Sequence, residues 1–556
     1  MSINRSSDYM KNTILVISVA MLGAISVCRA QSAVTEHQIA DEIRTETLRT
    51  NKDPADHALP LIASWNTGTY LYAYPYHKTR GMYPAYQLDL LKNGHHIFPT
   101  FAFPSIDATP DKWQDYYQAP LQRAAKLNLP ITLLSTQWEQ QLTLDQKYFS
   151  LPPAENPNVV TPDGKVEKKL SPFGPVKLWR EIGEKWASSL MMQQIQQWYP
   201  NPPLVEFLSN NESPKLTWKD AETDIRYLEK YGKGRSDDFK KQVVAQGWIE
   251  RFRAMQDGMR GALSKSWQSK VLFVGYGAFG GSAFGRWGGW TNYALNTSDY
   301  FSPEPLMWDG GTPSYYTASY NGITDFKVMS PQIESMNWVF MQKQALQLNP
   351  HFRFGFSVWD GHTDKPETDW RAHYESLGQM YSPERYAGYA QFGLWLLRPR
   401  VLREYRNWTD SIKDMEPWFL ALSETVDRVY SNDTLKYFWR KGELVPNRTH
   451  EHPYQTAIPE EYKKAERWFL LDTNLDPPRP WKLDTEIPVY SLALVDGAVG
   501  NRRWLVYAES PVKDRTNVEI TIPEYDKITI DAPTAGAFYV VDEKTGKVTP
   551  LTKGNQ

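Results

Sequence analysis

Two glutamates carry the most chemistry in this chain. Glu212 closes the run PLVEFLSNNE, and Glu334 sits in FKVMSPQIESMNW. Each follows a short apolar stretch that reads as a strand, and each stands where that strand would end. Two carboxyl groups delivered by separate strands suit glycosidic bond cleavage, in which one donates a proton and the other attacks or activates water. Asn211, directly before Glu212, makes the pair more specific. An Asn-Glu after an apolar run is common by chance, so the weight comes from the second glutamate at a matching later strand.

The chain between them supplies a frame. Eight short apolar runs, at 61–65, 96–103, 131–136, 204–209, 271–276, 305–308, 326–332 and 352–359, alternate with helical stretches such as 112–127, 178–198, 237–264 and 337–348. Strand and helix in alternation predict a parallel sheet. Eight units over about 300 residues predict a closed (β/α)8 barrel of the TIM type, with reacting groups at the C-terminal ends of its strands. On this count those ends present Trp65 and Asn66, Phe103, Gln137, Trp138 and Glu139, Asn210, Asn211 and Glu212, Tyr276, Trp308 and Asp309, Glu334, and Trp359 and Asp360. The set is rich in amides, carboxylates and indoles. Glu139 competes as an acid, binding sugar or pairing with a cation. Trp186, Trp198, Trp248 and Trp395 lie in helical patterns and read as core. His95 and His96 precede strand two, at the opposite, stabilising end.

After the barrel the pattern changes. A helix is expected over 386–405, kinked or broken at Pro399. A Pro-rich connector, DTNLDPPRPWKLDTEIP, precedes runs of period two separated by DGAVGN, DAPTAG and EKTGK. These predict a small all-β sandwich. The expected organisation is a signal peptide at 1–30, a leader at 31–58, the barrel with a helical extension at 59–425, a connector at 426–484 and the sandwich at 485–556.

Arg5 and Lys11 precede an apolar run at 14–27, and Cys28-Arg29-Ala30 offers small residues for cleavage. This reads as a secretory signal of a periplasmic or secreted bacterial protein, without a membrane anchor after cleavage. Cys28 is the single cysteine. A lipid anchor there is the alternative, against which stands bulky Val27. A chain cleaved after Ala30 has no thiol for a disulfide or a thiolate metal site. No cofactor or metal is expected. With 62 basic and 64 acidic residues and no basic block, nucleic acid is not an expected partner. The 14 % aromatic content, with 22 Trp, fits a large core and also sugar-stacking surfaces. The Gly-rich segment at 273–290 lacks the Lys and spacing of a phosphate loop. It reads instead as a cleft loop with Trp287 and Trp290 as lids.

Asn-Glu at the end of the fourth strand, Glu at the end of the seventh and a Trp closing the eighth resemble clan A of the glycoside hydrolases, over residues 59 to 370. The resemblance implies a retaining β-glycosidase with Glu212 as acid/base and Glu334 as nucleophile. Asn211 would bond the sugar 2-hydroxyl, Trp359 would floor the subsite, and Tyr315 or Tyr316 would hold Glu334 ionised. Trp65, Asn66, Trp138, Trp308 and Asp309 would complete the carbohydrate site. The nearest likenesses within the clan are marine-galactan hydrolases and family 42 β-galactosidases, which makes a carrageenan or agar the expected substrate. Lys78, Arg80 and Arg286 lie in loops suited to sulfated sugars. The competing readings are a non-catalytic carbohydrate-binding barrel and a polysaccharide lyase. The lyase is disfavoured because the strand ends carry little of its usual Tyr, His or Lys base.

Overall fold

The computed structural model describes residues 35–50, 57–68, 81–135, 138–209, 213–276, 304–316, 331–359, 382–406, 411–449, 464–474, 486 and 488–552. Its first sheet is parallel. The strands are β1 (Leu61–Ser64), β2 (Thr100–Ala102), β3 (Ile131–Ser135), β4 (Val205–Ser209), β5 (Val271–Tyr276), β6 in two pieces (Gly310–Thr312 and Ser314–Tyr316), β7 (Arg353–Trp359) and β8 (Val401–Glu404). Neighbours pair in chain order from β2 to β8, and β8 pairs with β1. A parallel bridge between Ile62 and Ile97 brings the β2 end back to β1. The fold is a (β/α)8 barrel, as expected.

Two strands differ from the sequence count. Residues 305–308 are not a strand: a 3-10 turn, Glu304–Leu306, leads into buried Trp308. The sixth strand is the following GGTPSYY, which has no apolar run to announce it. Its first glycine is required, because a Cβ at Gly310 would lie 2.5 Å from the carbonyl oxygen of Arg353 on β7. Of the expected seventh strand, residues 326–330 lie outside the described residues, and Pro331–Glu334 is a single helical turn. The run at 352–359 is therefore seventh in the barrel. The eighth strand lay hidden in the stretch read as one helix. That helix stops at Leu397, Arg398 takes a left-handed conformation (φ 43°), Pro399 follows, and the chain re-enters the sheet as β8.

The helices around the barrel are α1 (Glu36–Leu48), α2 (Pro84–Lys92), α3 (Pro110–Lys126), α4 (Val176–Ala187), α5 (Leu190–Trp198), α6 (Asp237–Ala262), α7 (Met336–Leu348), α8 (Pro383–Leu397) and α9 (Ile412–Ser431). Helix α1 sits under the N-terminal ends of the strands. Its last carbonyls, which have no partner within the helix, accept from barrel arginines: Arg353 Nη1 donates to Thr47 O at 2.8 Å and Arg400 Nη1 to Glu46 O at 3.3 Å. At the same end His96 bonds Asp427 of α9 at 2.7 Å and Glu42 of α1 at 2.9 Å, and His95 bonds Asp427 at 2.7 Å. Burial opposes a charge on His96, but the two carboxylates outweigh it and raise its pKa. Higher up, buried Glu206 of β4 and Arg403 of β8 form an ion pair.

The C-terminal part is a two-sheet antiparallel sandwich. Its larger sheet contains β9 (Tyr490–Asp496), β10 (Arg503–Glu509), β13 (Ala537–Asp542) and β14 (Val548–Pro550), with Glu443–Leu444 at its edge; β11 (Arg515–Thr521) and β12 (Lys527–Ala532) form the smaller sheet with Asp472–Thr473. Alternation along the larger sheet feeds two cores. Leu492, Leu494, Leu505, Tyr507 and Phe538 join the barrel's core, while Ala493, Trp504, Val506 and Val541 pack with Val518, Ile520, Ile528 and Ile530 of the smaller sheet. A strand with both faces buried reads as this one does, apolar almost throughout.

Helix α8 lies between the barrel and that sheet, and every residue from Arg385 to Leu397 is buried. Tyr507 of the sandwich donates to Gly388 O at 2.6 Å, and Gln391 Nε2 donates to Ala535 O at 3.1 Å. A Cβ on Gly388 would stand 2.2 Å from Thr534 O, a backbone atom that cannot swing aside. Gly388→Ala is therefore expected to cost about 1–3 kcal/mol through overpacking. The check is the urea midpoint, which should fall; an unchanged midpoint would mean the two layers are not held this closely.

Candidate active site

The C-terminal ends of the strands carry an aromatic group. Trp65, directly after β1, packs with Leu134 of β3, Leu208 of β4 and Val274 of β5, and Tyr405 lies against this cluster. Trp359, the last residue of β7, meets Tyr405 edge-on at 5.4 Å and 89°. Backbone bonds fix the group: Trp65 N donates to Glu404 O at 2.9 Å and Tyr405 N to Val358 O at 2.8 Å. Asn66 closes the same seam. Its Nδ2 donates to Arg406 O at 2.7 Å, and its Oδ1 accepts from Arg406 N at 2.6 Å. The Asn66 amide is thus spent on tying β1 to β8, and its role is to hold the rim.

The two glutamates fall in connections that follow strands β4 and β6. Asn211 and Glu212 lie outside the described residues, in the connection that leaves β4 after Ser209. Glu334 is the last residue of the turn Pro331–Glu334, on the connection from β6 to α7. Connections that follow a barrel strand lie on its C-terminal face. Tyr316 ends β6, in register with Trp359. Lys78, Arg80, Arg286, Trp287 and Trp290 lie outside the described residues.

Four expected site residues are elsewhere. Trp138 is fully buried outside the strands, its ring 5.9 Å from those of Phe103 and Phe207. Trp308 is also fully buried, against Phe252 of α6 at 5.1 Å. It precedes β6, so with Asp309 it stands at the N-terminal end of the barrel. Asp309 accepts from Arg253 Nη1 of α6 and from Phe273 N, both at 2.9 Å, which is a structural role. Tyr315 turns outward onto α8: it stacks on Tyr389 at 4.6 Å and donates to Tyr389 O at 3.3 Å. Trp308 and Asp309 stand at the N-terminal end because the sixth strand begins only after them, at Gly310. Tyr315 faces outward because neighbouring strand residues point to opposite sides.

Behind the Glu212 connection lies a buried ionic group. The side chains of Glu139 and Lys215 have no exposure, and Lys215 Nζ stands 3.0 Å from Glu139 Oε1. Lys215 Nζ also donates to Ser213 O at 2.9 Å. Glu304 is completely buried nearby; burial pushes its carboxyl well above the ordinary value, and the Lys215 charge pulls the other way. The lysine thus pairs with Glu139, while burial favours the protonated form of Glu304. The backbone here is pinned too, with Leu170 N donating to Pro214 O and Leu216 N to Leu170 O, each at 2.9 Å. Sequence pointed to Glu139 at a strand end, but nothing in NNESPK marks Lys215 as its partner. Among the described residues no group of three or more His, Cys, Asp or Glu could hold a metal ion, and no helix is long and apolar enough to cross a membrane.

No family model matches the chain, and no curated protein matches it. Solved structures do align with it. A Cellulomonas fimi endo-beta-1,4-mannanase double mutant is 10% identical, covering 92% of this chain and 96% of that one, with a TM-score of 0.34. The modular endo-beta-1,4-mannanase from Cellulomonas fimi, of glycoside hydrolase family 26, is 11% identical over the same shares, with a TM-score of 0.35. A Paenibacillus polymyxa xyloglucanase of glycoside hydrolase family 44 is 9% identical, covering 75% and 94%, with a TM-score of 0.23. At such scores side chains do not superimpose, and the functional argument rests on this chain's own residues.

Lys215→Met keeps the length of the side chain and removes the cation. An uncompensated Glu139 is then left buried, which is expected to cost about 3–5 kcal/mol. Adding Glu139→Gln should recover much of that loss. Thermal denaturation of the two single variants and the double variant checks the coupling; additive effects would dissolve the pair.

Proposed function

We propose that this chain is a retaining β-glycoside hydrolase acting on a poly- or oligosaccharide, with a β-galactan such as carrageenan or agar as the preferred class. The observation that carries the reading is the placement of Asn211-Glu212. In the sequence they follow Asn210, just past Ser209 at the end of the fourth barrel strand, and the rim of that barrel bears buried Trp65 and Trp359 with Tyr405. Indole and phenol faces suit the C–H faces of a pyranose. Export by the N-terminal signal fits a polymeric substrate outside the cell.

In this mechanism Glu212 protonates the departing oxygen while an ionised carboxylate attacks the anomeric carbon. Glu212 then takes a proton from the water that releases the glycosyl-enzyme. Glu334 is the proposed nucleophile. The barrel count favours a second candidate as well: β7 ends at Trp359, and Asp360 is the next residue. On the clan's pattern, which puts the nucleophile after strand seven, Asp360 would take that role, and Glu334 would act from the connection after β6. A retaining pair requires carboxyl groups about 5–5.5 Å apart, a separation to be measured in a crystal structure with bound sugar.

Aryl β-glycosides, carrageenan, agar, β-mannan and xyloglucan form the first substrate panel, with product anomers followed by proton NMR. Glu212→Gln should keep part of its glycosyl transfer from a substrate with a good leaving group. Azide should restore its turnover and give the β-glycosyl azide. Loss of all turnover in Glu334→Gln, with the α-azide on rescue, identifies Glu334 as nucleophile; the same behaviour in Asp360→Asn transfers the role to Asp360. Inversion at the first product would overturn the retaining mechanism.

A further inference from the structure

We infer that Glu509, a side chain of the C-terminal sandwich, is a positioning residue for the barrel's catalytic face, acting through Gln332 on the single helical turn that carries Glu334. The inference rests on the reading of Glu334 given above.

Glu509 is the last residue of β10, and Gln332 is the second residue of the turn Pro331–Glu334. Both are fully buried, and Gln332 Nε2 donates to Glu509 Oε1 at 3.2 Å. The turn runs through Ser335, itself helical, into α7, and the Ser335 hydroxyl donates to Gln332 O at 3.0 Å. That fixes one end of the turn, and its other side is placed by what it packs against. The bond to Glu509 supplies a directional contact two residues from Glu334, and it comes from the sandwich.

A carboxyl group is an unusual choice for this seam. The ionisable groups around it are mainly phenols: Tyr315 on β6, Tyr389 on α8, Tyr490 on β9 and Tyr507 on β10, with Arg428 of α9 beside Tyr507. Burial pushes the Tyr315 and Tyr507 phenols well above their ordinary value. Gln332 is the one hydrogen-bond partner of the Glu509 side chain among the described residues, and Glu509 Oε2 is buried without a partner there. Burial pushes the Glu509 carboxyl up to about 8, against the pull of the Gln332 bond. At neutral pH the seam therefore holds a neutral acid. Above about pH 8 it must take up a charge in a place built for phenols. The turn carrying Glu334 then loses its fixed partner, or Glu334 itself feels a new negative charge. Either way activity falls.

The sign for stability follows from the same shift. Below the ordinary carboxyl value the group is protonated in both states and contributes no difference. Between 4.5 and about 8 the unfolded chain ionises first, so the folded state loses stability as pH rises, and the loss is complete above about 8.

The test compares the full-length protein with Glu509→Gln, which keeps the shape and cannot ionise. An aryl β-glycoside with a good leaving group serves as substrate, so that proton donation by Glu212 does not set the alkaline limb. In the natural chain kcat should fall about tenfold per pH unit above the Glu509 pKa, as for a single essential protonated group, with KM little changed. Glu509→Gln should keep a flat profile over that range. Amide exchange of residues 331–336, corrected for the intrinsic effect of pH, should rise over the same range in the natural chain and stay constant in the variant. An identical alkaline limb and identical exchange in both proteins overturn the inference. Gln332→Met breaks the link from the barrel side and guards against a folding defect in the first variant. It should lower kcat at neutral pH with KM retained, and an unaltered kcat there counts against the inference. A natural chain that hydrolyses no glycoside, yet shows the pH-dependent exchange, would refute the proposed function and leave the link between sandwich and turn standing.

Discussion

A helix buried on every side constrains this molecule more than any other element. Helix α8 has no solvent face, so its residues must fit two partners at once. Toward the barrel, Gly393 lies against the Tyr315 ring; toward the sandwich, Gly388 lies against the backbone at Thr534. Small residues at 387, 388, 390 and 393 let both neighbours approach, and the large residues between them fill what is left. Close packing of this kind transmits displacement, because no slack remains to absorb it. The barrel's last unit, α8 with β8, therefore cannot be placed independently of the sandwich. The sandwich in turn has a face, lined by Leu492, Leu505 and Phe538, that belongs to the barrel's core.

Within that packing, three ionic groups, the first partly exposed and the other two buried, act at three levels. His96, Asp427 and Glu42 join α9 and α1 under the strands. Glu206 and Arg403 join β4 to β8, strands on opposite sides of the barrel. Glu139, Lys215 and Glu304 join the connections after β3 and β4 to the approach to β6. Removing charges from water costs about as much as their attraction returns, so such groups add little net stability over apolar residues. What they add here is exclusion. A shift of β8 by one residue would turn Arg403 out of the lumen and leave Glu206 without its partner, because strand residues alternate between faces.

The sequence was legible where a strand is apolar and a helix amphipathic. β1, β3, β4, β5 and β7 announce themselves in that way, and so do the period-two strands of the sandwich. β6 does not, because GGTPSYY owes its strand form to close approach by β7 and to no hydrophobic run. β8 was hidden by continuity: the apolar residues of α8 run on into VLREY, and only Pro399 marks the change. The same two features decide the site: Trp308 and Asp309 stand before the beginning of β6 and not at a strand's end, and Trp359 closes the seventh strand and not the eighth. Trp138 is buried for another reason. Its neighbours are Phe103 just after β2, Phe207 on β4 and Phe273 on β5, and no local pattern reveals that convergence.

On the proposed roles, the buried acids solve an electrostatic problem. A general acid must keep its proton, and a nucleophile must stay ionised. Fixing the first with a bare lysine nearby would lower its pKa, and fixing the second with a carboxylate would raise it. The lysine that follows Glu212 by three residues is paired with Glu139, and burial favours the protonated form of Glu304 beside it. The acid that holds the turn of Glu334 is likewise kept neutral by burial, up to about pH 8. Both connections are thus held by buried polar contacts. Such contacts can be directional without setting the protonation of the groups they position. That separation of geometry from field explains why buried carboxyls without their own cations are tolerated at two places on one barrel.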